Sequence, residues 1–543
     1  LIFLAKRFFV FIFFMFSLVS HATEMTDTDL RQISQQLVGA KLKAIPLIVD
    51  QFEAGGEKVI PLLDAMLNGR LFVRKSDKLV VIGERQQDGD YALVDALSAE
   101  SMASSSKKRL KKVKVNNRIR VQLREVIARI TLYSENREIR KSAVKNMLNK
   151  MSDRNIAMLA QAKEVETDAK IMALIELALA INTLKTSDIQ AERLVALETM
   201  DGSLEPLVFN TLSDLLAQDD AGNNLESDTL VHTKALKIKD SIQQKIKFYE
   251  IIEQLFFGLS LGSVLLLIAT GLAITFGVMG VINMAHGELI MIGAYTAYVV
   301  QLLMPNFIEY SLLVAIPMAF FIAGAVGILI ERCVIRFLHG RPLETLLATF
   351  GISLILQQTV RSIFSPLNRQ VASPSWMSGS LDLNPIFSLT YNRLYILLFA
   401  LLVFFILQLV LKRTSLGLNV RAVSQNRSMA KAIGIRTEWV DAMTFGLGSG
   451  IAGIAGVALS QLTNVGPNLG QAYIIDSFMV VVFGGVGNLW GTLVGGFSLG
   501  ILNKFLEPLT GAVLANIIIL VSIILFIQKR PRGLFPQKGR AAG

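Results

Sequence analysis

A single cysteine, Cys333, stands among 543 residues, so no disulfide can form within the chain. Histidine is scarce, with four residues, and tryptophan scarcer, with three. No metal-ligating cluster and no nucleophile constellation stands out, and no catalytic residue is assigned. The phosphate loop G-x-x-x-x-G-K-[ST] is absent, which places any use of ATP in another chain. Acidic residues thin out along the sequence. Residues 23–250 hold 33 Asp and Glu against 34 Lys and Arg, whereas residues 251–543 hold 10 against 18. The net charge of +11 therefore comes mostly from the second half, where basic residues end apolar runs. That is the positive-inside pattern of membrane proteins, and it argues against a nucleic-acid partner.

What is present begins with an export signal over residues 1–22: Lys6 and Arg7, an apolar stretch from Phe8 to Val19, and a Ser20-His21-Ala22 cleavage site. Residues 23–250 read as an exported, mostly helical domain. Apolar residues recur at i, i+3, i+4 and i+7 over Ile119–Tyr133, Ile139–Met151 and Ile171–Leu184, in a pattern similar to HEAT-like helical hairpins with an irregular period. Alternating Val and Ile between Leu71 and Leu93 are compatible with a small β-hairpin. From Lys107 to Arg124 run nine basic residues and no acidic one, suited to anionic lipid, an acidic protein, or simply a solvated face.

Residues 251–530 read as a membrane domain. Apolar runs long enough to cross a bilayer fall near 255–277, 281–303, 311–331, 343–362, 393–411, 438–460, 473–490, 492–506 and 511–528, about nine spans. The fold class expected is thus all-α, a polytopic helical domain behind a helical exported one. Lys412–Arg436 carries six basic residues and no acid, and the tail after Ile527 carries five. Placing both in the cytoplasm leaves residue 250 outside, in agreement with the export signal. The tail 531–543 is then cytoplasmic.

Three motifs interrupt the apolar pattern. Val281-Ile-Asn-Met-Ala-His-Gly-Glu288 sets Asn283, His286 and Glu288 at membrane depth, where ionisable groups are costly and face a cavity or partner. These residues suit a pore or gate and equally a packing network. The glycine-rich stretch Met479–Gly496, flanked by Asp476 and Asn488, is a second interruption in the other half, as in transporters built from inverted repeats. Between spans, Arg421–Ile433 predicts one amphipathic helix with Ala422, Met429, Ala430 and Ile433 apolar, ended by Gly434. It would seat on a soluble partner or lie on membrane lipid.

Together with the ending Arg530-Pro-Arg-Gly-Leu-Phe535, these motifs resemble the branched-chain amino-acid family of ABC transporter permeases over about 255–536. The export signal and amino-terminal domain make the architecture similar to the urea permeases of that family. The resemblance implies an inner-membrane permease for urea that works with a second permease subunit, two cytoplasmic ATPases and a periplasmic solute-binding protein. ATP and magnesium would sit in the ATPases and no cofactor in this chain. It implies a coupling segment that includes Gly417, Arg421, Ala422, Ala430 and Gly434. A path for a small neutral solute asks for amides, hydroxyls or carboxylates, for which Asn283, Gln357, Gln358, Gln461 and Asn488 are the candidates. A branched-chain amino-acid permease, or a passive urea channel or carrier without an ATPase, are the competing readings.

Overall fold

The computed structural model describes residues 26–86, 90–220 and 223–535. The chain divides into two compact units, one through Gln243 and one from Gln244. The expected signal at 1–22 lies outside the described residues, as does the tail beyond 535.

The first unit opens with α1 (Asp27–Gln36), started by a capping box between Thr26 and Asp29. The helices α2 (Ile45–Phe52) and α3 (Ile60–Leu67) each carry proline in their first turn, where its missing N–H has no helical partner to lose. A five-stranded antiparallel sheet follows: β1 (Leu71–Arg74), β2 (Val80–Arg85), β3 (Tyr91–Asp95), β4 (Ser101–Ser105) and β5 (Leu110–Lys112), in the order β4-β3-β2-β1-β5. The all-α expectation is corrected here. The anticipated hairpin is β1–β2 with β3, and two further strands extend it. Side chains alternate between faces: Leu71, Val73 and Val80 join the core built by Phe52, Leu63 and Leu123. Phe72, Val81, Leu93 and Leu110 form a smaller cluster on the other face.

Six helices complete this unit: α4 (Asn117–Thr131), α5 (Arg137–Asn149), α6 (Asp153–Val165), α7 (Ala169–Thr186), α8 (Gln190–Met200) and α9 (Pro206–Leu215). Their lengths run from 10 to 18 residues with no fixed period. Asn116, Asn136, Ser152 and Asp168 cap the starts of α4 to α7, each cap worth about 1 kcal/mol. The hydrogen bond from Arg137, aided by backbone N–H groups at the helix start, holds the Asp168 carboxyl down at about 2. Arg129, almost buried, grips Glu53 through two hydrogen bonds of 3.0 and 2.9 Å and ties α4 to the turn after α2. Arg129→Ala would strand Glu53 with only the exposed Arg154. We expect a loss of ~2–3 kcal/mol, read as reduced hydrogen-exchange protection along α4. Unchanged protection would mean the pair is screened by solvent.

The helix α10 (Thr229–Met279) begins in the first unit and continues into the second, becoming apolar there. The second unit then holds α11 (His286–Leu303), α12 (Ile308–Cys333), α13 (Pro342–Phe364), α14 (Tyr391–Arg413), α15 (Ser415–Gln425), α16 (Arg427–Ala432), α17 (Thr437–Ser460), α18 (Gln471–Gly484), α19 (Leu489–Thr510) and α20 (Ala512–Lys529). A hairpin of β6 (Ser380–Asn384) and β7 (Phe387–Thr390) precedes α14. A helix stands at each of the nine expected spans. Among the described residues, seven are long and apolar enough to cross a membrane; α11 and the 14-residue α18 are not among them. Each of those two adjoins one of the interruptions.

Buried along nearly its whole length, α17 is the centre of this unit. It packs chiefly on α11 and α12, and glycine makes that approach possible. A Cβ on Gly453 would strike the Ala319 carbonyl of α12 at 2.5 Å. On the outside, α13, α14 and α20 present apolar side chains such as Leu347, Leu402 and Val513, as lipid-facing helices do.

Candidate functional site

The first interruption builds a buried polar cluster. Gly280, at φ +67°, turns the chain out of α10, and residues 281–285 run outside any helix before α11 starts at His286. Asn283 is structural in part, since its Oδ1 accepts from the Ala285 N–H at 3.0 Å. His286 is fully buried and its Nε2 donates to the Ile268 carbonyl of α10 at 3.1 Å, which fixes the tautomer. Glu288 is also fully buried. Its Oε1 accepts from Ser353 Oγ at 2.9 Å and Gln357 Nε2 at 2.7 Å, both on α13. Three atoms at this helix start have no partner among the described residues: Asn283 Nδ2, His286 Nδ1 and Glu288 Oε2.

The partners of Glu288 belong to a longer feature. Thr345, Thr349, Ser353 and Gln357 follow one another at four-residue spacing on α13, and all four are buried. Four-residue spacing stacks side chains on one helix face, so a polar ladder runs through a helix whose other faces are apolar and exposed. Thr349 Oγ1 accepts the Met284 N–H at 3.2 Å, joining the ladder to the interruption. Arg361, one step further, donates to Asn468 Oδ1 at 2.8 Å. Spacing alone would have revealed this ladder; Ser and Thr in an apolar run drew no attention.

The other expected path residues lie elsewhere. Gln358 is exposed, one residue off the ladder, and its carbonyl accepts from Ser362 Oγ. Gln461, buried after the end of α17, lines an apolar cavity of about 300 Å³ with Trp376 and Tyr395. Asp476, half-buried in α18, makes no hydrogen bond or ion pair among the described residues. Asn488 caps α19 through Trp490 N–H at 3.0 Å and donates to the Phe535 carbonyl at 3.2 Å. Its position is therefore that of a strut for the second interruption. The terminal motif completes that strut: the N–H groups of Leu534 and Phe535 donate to the carbonyls of Phe483 and Gly484.

The two interruptions meet. A Cβ on Gly277, near the end of α10, would lie 2.6 Å from the Cα of Gly487. Beside this contact opens a cleft of about 870 Å³, walled by Gly277, Gly487 and Asn488 on one side and by Gly417, Arg421 and Ala422 of α15 on the other.

With this geometry in view, the comparisons are specific. Residues 254–527 match the family described as branched-chain amino acid transport system / permease component. The chain belongs to that family. Among its relatives are the high-affinity branched-chain amino acid transport system permease proteins BraD of Pseudomonas aeruginosa and LivH of Escherichia coli. They are 30% and 32% identical over 299 residues, which is 53% of this chain and 96% of each relative. A probable branched-chain amino acid transport permease LivH of Methanocaldococcus jannaschii is 29% identical over 247 residues, 44% of this chain and 76% of the relative. No solved structure matches. The chain is therefore an ABC-type permease, a transport component whose family match begins at residue 254.

The segment expected to couple the permease to ATPases departs from its expected form. Two helices, α15 and α16, replace the single one, because Asn426 leaves helical geometry and caps α16 by accepting the Met429 N–H at 3.0 Å. Gly434, at φ +92°, ends α16 as foreseen. Val420, Val423 and Ala430 are buried against Val440, whereas Leu418, Met429 and Ile433 are exposed. Gly417 admits no side chain against the Leu411 backbone, whose carbonyl also accepts from Arg421. Arg427 forms a two-pronged ion pair with Asp441, buried in the second turn of α17, and Arg336 pairs with Glu438 at 2.8 Å. In the connection before α13, burial and the Arg427 charge hold His339 below the usual histidine range, so it stays neutral near pH 7.

Proposed function

We propose that this permease carries a small neutral solute, urea, across the bacterial inner membrane as one subunit of an ATP-driven importer. The observation that carries this reading is the composition of the cluster around Glu288. Ser353, Gln357, Thr349 and Asn283 offer hydroxyl and amide groups, and none of the buried ladder residues is a cation. Urea, with four N–H groups and one carbonyl, matches a carboxylate flanked by amides. A zwitterionic amino acid could set its ammonium against Glu288, but its carboxylate would need a cation, and Arg361, at the end of the ladder, is already bonded to Asn468 at 2.8 Å. The names of the relatives, in contrast, support branched-chain amino acids, and that is the second reading.

The remaining parts follow from the family. Two cytoplasmic ATPases would dock on the exposed Leu418, Met429 and Ile433 of the coupling segment, with ATP and magnesium held there. A second permease subunit would close the path and a periplasmic solute-binding protein would deliver the solute. The first unit would lie in the periplasm and the carboxyl terminus in the cytoplasm, a placement supported by the basic segments at 412–436 and after residue 527. The test is uptake of micromolar radiolabelled urea by cells with and without the gene, with unlabelled leucine as competitor. Urea uptake lost on deletion and untouched by leucine is the expected result. Intact urea uptake with lost leucine uptake would replace the urea reading by the second.

A further inference from the structure

The first unit carries a cleft of its own. It measures about 590 Å³ and lies on the sheet face of the smaller apolar cluster, walled by Gly69, Gly83, Phe72 and Tyr91 and rimmed by Arg70, Arg85, Lys107 and Lys112. Its floor is aromatic. The rings of Phe72 and Tyr91 meet edge to face with centroids 5.2 Å apart. They lie over Gly83, where a Cβ would come within 3.0 Å of the Phe72 ring. The one acid on its walls, Glu84, is already held by Arg70 at 2.8 Å, and Arg70 also binds Asp64 at 2.9 Å. Arg85, Lys107 and Lys112 have no ion pair among the described residues.

The same imbalance extends outward. All nine basic residues between Lys107 and Arg124 are exposed, and none pairs with an acid among the described residues. Elsewhere in this unit several arginines are neutralised: Arg74 by Asp77, Arg129 by Glu53, Arg140 by Glu166 and Arg193 by Glu226. Lysines on an edge strand guard against aggregation, which accounts for Lys111 and Lys112 on β5 but not for the other seven. Nor does a charged face by itself need an aromatic floor.

We propose that this cleft docks an acidic segment of a partner protein. An aromatic or apolar side chain of that segment lies on Phe72 and Tyr91, while its carboxylates pair with Arg85, Lys107 and Lys112. The aromatic recess favours a protein over a lipid surface, because headgroups need only spread charge, whereas a recess of this size receives a side chain.

The test titrates the full chain, in nanodiscs of zwitterionic lipid, with a fluorescent Asp/Glu-rich peptide bearing one Phe. Binding is expected to disappear near 1 M salt, where the screening length is about 3 Å. Lys107→Glu with Lys112→Glu should weaken it at least about ten-fold, and Tyr91→Ala about three- to ten-fold. Arg85→Glu, at an exposed site, serves if Tyr91→Ala fails to fold, and should weaken binding at least about three-fold. Equal affinity for the same peptide with Gly in place of Phe would overturn the proposal in favour of unspecific charge attraction. No peptide binding, but binding of the wild-type chain to phosphatidylglycerol vesicles that the Lys variants lose, would overturn it in favour of a membrane contact.

Discussion

Glu288→Gln is expected to lower solute uptake at least about ten-fold while the permease still folds and inserts. The amide is nearly the shape of the carboxyl and can still accept from Ser353 and Gln357 through one oxygen, so the packing of α11 on α13 survives. What changes is the second oxygen. Glu288 Oε2 is an acceptor with no partner among the described residues, and the substitution turns it into a donor. A buried acceptor left unmatched costs about 1–3 kcal/mol, and an ionisable side chain at membrane depth costs more, ~2.5–3.5 kcal/mol for the charged types. A purely structural site would gain nothing from a carboxylate there, because glutamine would serve as well. If the oxygen receives solute N–H groups, reversing its polarity removes an attraction and adds a clash of donors, and ten-fold in uptake corresponds to about 1.4 kcal/mol. Glu288→Ala is the contrasting variant. It strands two buried donors and should reduce thermal stability as well as uptake. Normal uptake by a stable Glu288→Gln permease would reduce the cluster to packing. Ser353→Ala separates the roles further, since it removes one donor to Oε1 and leaves Oε2 untouched.

The sequence disclosed this cluster only from one side. Asn283, His286 and Glu288 stand out because polar groups in an apolar run have an energetic cost that a reader can see. Thr345, Thr349 and Ser353 have almost none, since a hydroxyl in a membrane helix can bond back to its own turn; Thr345 and Thr349 do so, and Ser353 donates instead to Glu288. Hydropathy placed a helix at every expected span for the same reason that it blurred the ends. It averages over Gly280 and Gly485, whose positive φ breaks the chain without changing its polarity. That is why 281–285 was expected inside a span and lies outside α11. In the first unit, β1, β2 and β3 show their alternation. The strands β4, with the sequence SMASS, and β5, with LKK, have none, because they are strands only through pairing with β3 and β1. Asn488 is ambiguous for a related reason. An amide beside glycines suits a pore as well as a helix cap, and the bonds to Trp490 and Phe535 give it the cap's role at the edge of the cleft it lines.

Arg427→Ala is expected to uncouple ATP hydrolysis from transport, with uptake at least about ten-fold lower in a reconstituted importer whose ATPase activity persists. The side chain anchors α16 to α17 through Asp441, which is almost fully buried. Removing one partner of such a pair leaves a buried charge and costs about 3–5 kcal/mol, enough to free the loop from the helix or to distort the first turns of α17. The consequence reaches the cluster because interiors packed this closely do not absorb displacement. Gly453 of α17 abuts both Gly293 of α11 and Ala319 of α12, and Gly456 abuts the Ile290 carbonyl. α11 begins with His286 and Glu288, so a push on α16 that moves α17 must also move the start of α11 against the ladder of α13. A second substitution separates stability from coupling. Asp441→Asn in the Arg427→Ala background removes the stranded charge and should recover most of the lost thermal stability. Uptake should stay low, because the anchor is still missing. If the double variant recovers uptake together with stability, the pair holds the fold and motion reaches α17 by another route, for which Arg336 and Glu438 are the next pair to break. If Arg427→Ala alone transports normally, α16 is not the element through which the ATPases act.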